Sequence, residues 1–288
     1  MPSLLINRFR VSLMLGALIA VTACSDRKGG ENIAPDLISH TNSSVAAAED
    51  RYFTSDGIQI HFVDEGRGTP VLLIHGYTSD IDGGWRNRGV INGLISAGYR
   101  VVAYDNRGHG KSDKPKDVSM YGVNMVEDGR RLLDYLDIDR AHVVGYSMGA
   151  RFANKLRELH PGRVISLTVG GTGWPTASPT LTNELIGQVD KQLRDRGFRN
   201  DKEREALVAV RVSSLEIPAN ESELGQNKVP MLVIGGEQDR PERAQKLAEI
   251  TSNAKFKMVP GDHRAAPQTP EFLEALLEFL DEHEPNRE

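Results

Sequence analysis

The sequence predicts an α/β fold in which a mostly parallel central sheet is covered by helices on both faces. From residue 51 onward, short apolar runs alternate with segments of helical spacing, which is typical of this class. Each run is short and mostly apolar, as strands buried on both faces require. They are Val71–Ile74, Arg100–Tyr104, His142–Tyr146, Val164–Val169, Met231–Ile234 and Lys255–Val259.

A hairpin opens the predicted domain, and amphipathic helices complete it. Arg51–Thr54 and Ile58–Asp64 flank the turn residues Ser55-Asp56-Gly57. Two later segments place apolar residues on one helical face, the first ending at His160-Pro161 and the second starting at Thr269-Pro270. Their apolar positions are Met148, Phe152, Leu156 and Leu159, and Phe272, Leu273, Leu276, Leu277 and Leu280.

The strand rhythm lapses between Thr172 and about Lys228. Within this stretch, Leu185–Leu193 and Ala206–Val212 have helical spacing in a charged background. We interpret residues 172–228 as an inserted helical lid, and we refer to them below as the inserted segment.

Charge and cysteine content exclude several classes of function. The 288 residues contain 35 Lys and Arg against 40 Asp and Glu, a formal net charge of −5, and no predicted helix has a basic stripe. Nucleic acid is therefore not expected as a partner. Cys24 is the single cysteine, which excludes disulfides, a thiolate metal site and a cysteine nucleophile from the folded body.

The first 23 residues have the pattern of an export signal. Arg8 and Arg10 precede an uncharged run of thirteen residues that is too short to cross a bilayer. The run ends in Val21-Thr22-Ala23-Cys24, which resembles the lipobox of bacterial lipoproteins; the alternative is a plain secretory peptide cut near Ala23. The resemblance implies a lipid on Cys24 and a location in the periplasm or on the outer face of the membrane. Residues 24–50 have no sustained apolar period, so we interpret them as a flexible tether that precedes a domain over residues 51–288.

The chemistry is indicated by Gly145-Tyr146-Ser147-Met148-Gly149, which follows an apolar strand and opens a helix. This is the context of a nucleophile elbow, where a sharp strand-to-helix turn lifts the serine hydroxyl above the sheet and needs small neighbours. The alternative interpretation is a small Gly/Ser turn that only packs a helix on a sheet.

A serine nucleophile requires a base and a group that orients the base. His263 follows the last predicted strand. Five other histidines do not sit at the carboxyl end of a predicted strand: His40, His61, His142, His160 and His283. Asp239 follows the preceding strand, giving the chain order Ser, Asp, His. Asp239 also fits an N-cap with Glu242 as its capping-box partner, and Glu237 and Asp262 are the substitute acids.

These motifs together resemble the α/β-hydrolase superfamily over about residues 51–288. His75-Gly76-Tyr77-Thr78 resembles its HG oxyanion loop, and the segment from Asp105 to Ser112 resembles its DxRGxGxS motif. The resemblance implies that the backbone N–H groups of Tyr77 and Met148 form an oxyanion hole. His75 and His109 are then structural, and the spacing gives them no third metal ligand.

The resemblance implies a serine hydrolase that cleaves a small carboxylic ester or lactone through an acyl-enzyme, with no metal or organic cofactor. Trp85 and Trp174 are candidates for the substrate pocket. Two alternatives stay open: a C–C bond hydrolase or lyase with the same triad, and a lipid-anchored binding module without catalysis. The elbow serine disfavours the alkyl-enzyme chemistry of epoxide hydrolases and haloalkane dehalogenases, which have Asp at that position.

The lipobox resemblance makes a direct prediction. In bacterial cells fed tritiated palmitate, the wild-type chain should become labelled and the Cys24→Ser variant should not, because the thioether carries the diacylglycerol. Gel fluorography of the immunoprecipitated protein measures the label. Equal labelling of both chains, or of neither, would contradict the assignment.

Overall fold

The computed structural model describes residues 50–174, 182–214, 217 and 219–285. The predicted signal peptide, Cys24 and the tether up to residue 49 lie outside these ranges. Among the helices of the described ranges, none combines the length and the apolar character that crossing a bilayer requires.

The described residues form an eight-stranded sheet in the order β1-β2-β4-β3-β5-β6-β7-β8. β1 and β2 form the predicted antiparallel hairpin, β2 also pairs antiparallel with β4, and all other neighbours are parallel. The hairpin turn places Asp56 and Gly57 at positive φ, as a tight turn of this kind requires. The strands are β1 Arg51–Ser55, β2 Ile58–Gly66, β3 Pro70–Ile74, β4 Arg100–Tyr104, β5 Ala141–Tyr146, β6 Val164–Gly170, β7 Met231–Gly236 and β8 Ala254–Val259.

Helices connect the parallel strands, and both predicted stripes are confirmed as helices. The hydroxyl of Thr269 caps the last helix by accepting from the backbone N–H of Phe272. In the described part of the inserted segment, three helices lie between β6 and β7. The helices are α1 Val90–Ser96, α2 Val123–Tyr135, α3 Met148–Leu159, α4 Asn183–Asp195, α5 Asp201–Ser213, α6 Glu221–Gly225, α7 Pro241–Ile250 and α8 Pro270–Glu282.

Alternate residues of each central strand enter two separate cores. In β3, Leu72 and Ile74 pack with α2, α3 and α7 on one face. Val71 and Leu73 pack with α1 and α8 on the other face. Because both faces are covered, the strands need apolar residues at every position, which explains their continuous hydrophobic runs. The predicted fold class is confirmed.

A buried ion pair ties the loop after β4 to the rest of the domain. The guanidinium of Arg107 donates from Nε and Nη2 to the two carboxylate oxygens of Asp128 on α2, at 2.7 and 2.6 Å. Both side chains are fully buried. Ser55 on β1 also donates to Asp128, and Arg107 donates to the carbonyl of Met120. Three distant parts of the chain therefore depend on one carboxylate.

Asp128→Ala should lower the free energy of unfolding by about 3–5 kcal/mol, because it leaves the Arg107 guanidinium buried without its counter-ion. Urea unfolding followed by circular dichroism measures this loss. Asp195→Ala is the control: it breaks an exposed ion pair with Lys191 within α4 and should change stability little. Similar losses in the two variants would show that the buried pair has no special weight.

Candidate active site

Ser147 lies in a sharp turn between β5 and α3. Its backbone has φ 57° and ψ −112°, a left-handed conformation that is rare for residues other than glycine. The flanking glycines permit this turn, because a Cβ on Gly145 would overlap the backbone of Gly149, and a Cβ on Gly149 would overlap the carbonyl oxygen of Ile74. The backbone N–H of Ser147 donates to the carbonyl of Gly170 at 2.8 Å, which fixes the turn to β6.

His263 and Asp239 meet Ser147 at the carboxyl edge of the sheet. The Nε2 atom of His263 lies 2.9 Å from the Ser147 hydroxyl oxygen, and its Nδ1 atom lies 2.6 Å from an oxygen of Asp239. The three residues follow β5, β8 and β7, and the ends of parallel strands share one edge, so residues 92 and 24 positions apart come into hydrogen-bond contact. The side chain of Asp239 is 9% exposed and that of His263 is 45% exposed.

The interpretation of Asp239 as a helix N-cap is wrong. Arg240 is the N-cap of α7, it has a left-handed backbone, and no side chain caps this helix. The carboxylate of Asp239 faces His263 instead. Of the substitute acids, Asp262 accepts from the backbone N–H groups of Arg264 and Ala265, which lowers the pKa of its carboxyl and shapes the loop that carries His263.

Tyr146 supports His263, a role that the elbow motif does not predict. Its hydroxyl donates to the backbone carbonyl of His263 at 2.9 Å, and the two rings lie 5.5 Å apart. Burial raises the pKa of Tyr146, which keeps the phenol a hydrogen-bond donor. A Cβ on Gly171 would press on both rings, so this glycine leaves room for the pair. The sequence signal for Tyr146 is its position immediately before Ser147.

The loop after β3 is held against the serine by buried histidines. Nε2 of His75 accepts from the backbone N–H of Asn106 at 3.0 Å, and Nδ1 lies 2.8 Å from the carbonyl oxygen of Gly76. Burial lowers the pKa of His75, and it lowers that of His109 to about 3, so both rings are neutral and structural. Among the described residues, no group of three or more His, Cys, Asp or Glu side chains is arranged to hold a metal ion.

The two predicted oxyanion donors belong to backbone segments that adjoin Ser147. A Cβ on Gly76 would be 3.3 Å from Cβ of Ser147, so the backbone that leads into Tyr77 runs along the nucleophile. Met148 is the first residue of α3, and an N–H at that position has no acceptor within the helix. The hydroxyl of Tyr77 donates to the carbonyl of Leu207 on α5 at 2.9 Å, which joins this loop to the inserted segment.

A cavity of about 560 Å³ opens above Ser147 and His263. The two predicted pocket tryptophans are not among its lining residues. Trp85 is fully buried in the core beneath α1 and α8, and Trp174 packs against the core on the opposite face. The described lining residues are His75, Gly76, Tyr77, Thr78, Ser79, Gly83, Gly84, Arg88, Tyr146, Ser147, Arg196, His263, Arg264 and Gln268.

Known proteins share this architecture. The family model described as alpha/beta hydrolase fold matches residues 69–206. A putative non-heme chloroperoxidase of Synechocystis sp. is 38% identical, over 77% of this chain and 95% of that protein. The chain belongs to the alpha/beta hydrolase fold family. The family supports the assignment of this chain as a hydrolase.

Other alpha/beta hydrolases that resemble the chain have diverse names. A 2-hydroxy-6-oxononadienedioate/2-hydroxy-6-oxononatrienedioate hydrolase of Paraburkholderia phymatum is 28% identical over 85% of this chain and 99% of that protein. An epoxide hydrolase of Caballeronia sordidicola is 35% identical, but the match spans 43% of this chain and 37% of that protein. The structure of a thermophilic esterase from Thermogutta terrifontis superposes with a TM-score of 0.69 at 22% identity, covering 82% of this chain and all of that one, which shows a shared fold.

The elbow of this alpha/beta hydrolase should not tolerate a methyl group at residue 149. Gly149→Ala should destabilise the protein by about 3 kcal/mol, because the new Cβ meets rigid backbone. Gly187→Ala is the matched control: it lies in α4, nothing lies near its added Cβ, and it should stabilise the protein by up to about 1 kcal/mol. Thermal unfolding of both variants measures the difference, and equal stability would contradict the close-packed turn.

Proposed function

We propose that this alpha/beta hydrolase is a serine hydrolase that cleaves small carboxylic esters or lactones through an acyl-enzyme. The observation that carries the proposal is the hydrogen-bonded chain from Ser147 through His263 to Asp239. A serine hydroxyl is a weak nucleophile at neutral pH, and a hydrogen-bonded imidazole with a carboxylate behind it is the arrangement that activates it.

The chain's own residues account for each step of acyl transfer. Nε2 of His263 takes the hydroxyl proton as the oxygen of Ser147 bonds to the ester carbonyl carbon, and Asp239 stabilises the imidazolium. The N–H groups of Tyr77 and Met148 donate to the carbonyl oxygen as it becomes an alkoxide. The C–O bond then breaks, and the alcohol leaves with the proton from His263. Water attacks the acyl-enzyme in the same way and releases the acid.

The elbow residue supports acyl rather than alkyl chemistry. Epoxide hydrolases of this fold attack with an elbow aspartate, whereas this chain has Ser147 at the elbow. The partial match to an epoxide hydrolase therefore does not favour alkyl-enzyme chemistry here. The non-catalytic alternative is disfavoured because the three triad positions have competent residue types in hydrogen-bond contact.

A C–C bond hydrolase with the same triad is the second candidate. It is favoured by the Paraburkholderia relative, which aligns over 99% of its length and is named a hydrolase of 2-hydroxy-6-oxononadienedioate. Assays with that compound and with p-nitrophenyl esters discriminate the two functions. Rapid ester turnover with an initial burst of nitrophenol supports the esterase, and faster turnover of the dienedioate supports the C–C hydrolase.

Two further expectations enter the proposal. The inserted segment would act as a lid, an idea supported by the hydrogen bond from Tyr77 to α5 and by the presence of Arg196 at the cavity. The domain would work in the cell envelope, attached through a lipid on Cys24 and acting on small-molecule esters from outside the cell. That second expectation is supported by the lipobox resemblance alone.

Ser147→Ala should lower kcat by a factor on the order of 10⁴–10⁶ and abolish labelling by a fluorophosphonate probe, because the attacking oxygen is removed. Steady-state kinetics and in-gel fluorescence measure the two effects, and circular dichroism checks folding. Ser222→Ala, which changes an exposed serine on α6, is the control and should behave like wild type. Retained labelling in Ser147→Ala would refute the assigned nucleophile.

A further inference from the structure

The described lining of the cavity above Ser147 contains arginines but no carboxylates. Its described lining residues include three arginines, Arg88, Arg196 and Arg264, and no aspartate or glutamate. Elsewhere in the described residues, Arg107 pairs with Asp128 and Arg204 with Asp190. Arg151 and Arg157 instead donate to carbonyl and amide oxygens outside this cavity. The cavity is therefore a place where cationic side chains collect without anions of the protein.

Arg88 is the most constrained of the three. Its Nε donates to the carbonyl of Gly83 at 2.7 Å, and its Nη1 donates to the carbonyl of Arg264 at 3.2 Å. The side chain is half-buried, burial lowers the pKa of its guanidinium, and within the described residues no carboxylate forms an ion pair with it. Two residues earlier, Arg86 pairs with Glu65 at 2.6 Å.

A partly desolvated cation without a counter-ion is unfavourable unless something else compensates it. The two carbonyls fix the guanidinium of Arg88 in one orientation, and among the described residues its Nη2 group has no hydrogen-bond partner. A planar guanidinium held in this way is suited to a carboxylate, which it binds through paired hydrogen bonds. A held arginine also loses little side-chain entropy when an anion arrives.

Arg196 brings a second positive charge from a different part of the chain. It is the C-cap of α4 in the inserted segment, and its Nη2 donates to the hydroxyl of Thr78 at 2.7 Å. Thr78 follows the loop that contains Tyr77, so this hydrogen bond fastens Arg196 to the wall of the cavity. Arg264 is less available, because it lies close enough to Asp262 to lower the pKa of that carboxyl.

We propose that Arg88 and Arg196 form an anion subsite that selects esters or lactones bearing a carboxylate. The proposal rests on the serine-hydrolase function proposed above and adds to it a substrate class. The carboxylate takes no part in bond making or breaking. It remains ionised while the ester bond is cleaved at Ser147, and its charge is attracted by the two guanidiniums in a cavity where screening is weaker than in bulk water.

Two matched substrate pairs test the selection. In the first pair, 4-nitrophenyl hydrogen succinate has a carboxylate on its acyl part, and its methyl ester is neutral. In the second pair, 4-acetoxybenzoate has a carboxylate on its leaving group, and its methyl ester is neutral. Wild type should have the higher kcat/KM for the anion in at least one pair. In Arg88→Gln, and in Arg196→Gln, which changes an exposed residue, the anion-to-neutral ratio should fall on the order of 10-fold to 100-fold.

The control variant is Arg140→Gln. Arg140 precedes β5 and donates to the carbonyl of Val164, at the amino ends of the parallel strands and away from the cavity. Its replacement by Gln removes one positive charge, as Arg88→Gln and Arg196→Gln do. Its anion-to-neutral ratio should equal that of wild type. An unchanged ratio in Arg88→Gln and Arg196→Gln, or an equal loss for the charged and neutral esters, would overturn the subsite, since an equal loss indicates a structural role.

A binding measurement separates this proposal from the proposed function. In the Ser147→Ala background, calorimetry compares monomethyl succinate with dimethyl succinate. The monoanion should bind more tightly, and Arg88→Gln should weaken its binding while leaving that of the diester unaffected. If wild type reacts with the fluorophosphonate probe but neither binding nor kinetics favours the anion, the subsite is wrong and the serine-hydrolase function stands. If the probe does not react and no ester is hydrolysed, but Arg88→Gln still weakens binding of the monoanion, the serine-hydrolase function is wrong and the anion subsite stands.

Discussion

The close backbone packing at residues 145–149 is the constraint on which the site depends. Gly145 and Gly149 bring α3 so near to β5 and β3 that neither position has room for a methyl group. That contact forces Ser147 into a left-handed backbone conformation, and the conformation in turn lifts its hydroxyl toward His263. The unfavourable backbone of one residue is stabilised by the packing of a whole helix, which is why such residues persist at functional sites.

Around this turn, the domain separates neutral from charged groups. His75 and His109 are buried, their rings lie 5.2 Å apart, and burial lowers the pKa of both, so they position backbone without adding charge. Asp105 accepts from the backbone N–H groups of Ile81 and Lys111 and from His61, and these bonds hold its pKa near 2 despite its burial. The carboxylates close to the site are thus committed to loops or to His263. What remains facing the cavity is positive.

Much of the fold follows from patterns that are local in the chain. Short apolar runs located the central strands, since a strand covered on both faces has no polar side. The turn at Ser55-Asp56-Gly57 located the opening hairpin, and the elbow motif with its following stripe located α3. The role of His263 could be predicted because parallel strands end at a common edge. Side-chain packing between residues far apart in the sequence could not be predicted. Trp85 and Trp174 match the pattern of pocket residues, but Trp85 is buried in one core and Trp174 packs against the other. Asp239 matches an N-cap pattern, but its carboxylate contacts His263 instead.

The cavity's arginines show the same limit. Arg88, 59 residues before the nucleophile, belongs to no motif, and its orientation depends on carbonyls of Gly83 and Arg264 that only folding brings near. Tyr146 is within the elbow motif, yet its hydrogen bond reaches 117 positions along the chain. Motif spacing predicts the role of a residue only when its partners are near it in the sequence. The partners of Arg88 and Tyr146 include residues more than 100 positions away.

β6 and β7 pair directly, so the chain leaves the sheet for the inserted segment and re-enters it at a neighbouring strand. Ser147, His263 and Asp239 follow β5, β8 and β7, whereas Arg196 belongs to the inserted segment. Part of this segment is also core, since Ala206, Val210 and Leu224 are buried in the cluster that covers one face of the sheet. A protein engineer can therefore exchange its cavity-facing residues without moving Ser147, His263 or Asp239, provided that these buried positions stay apolar.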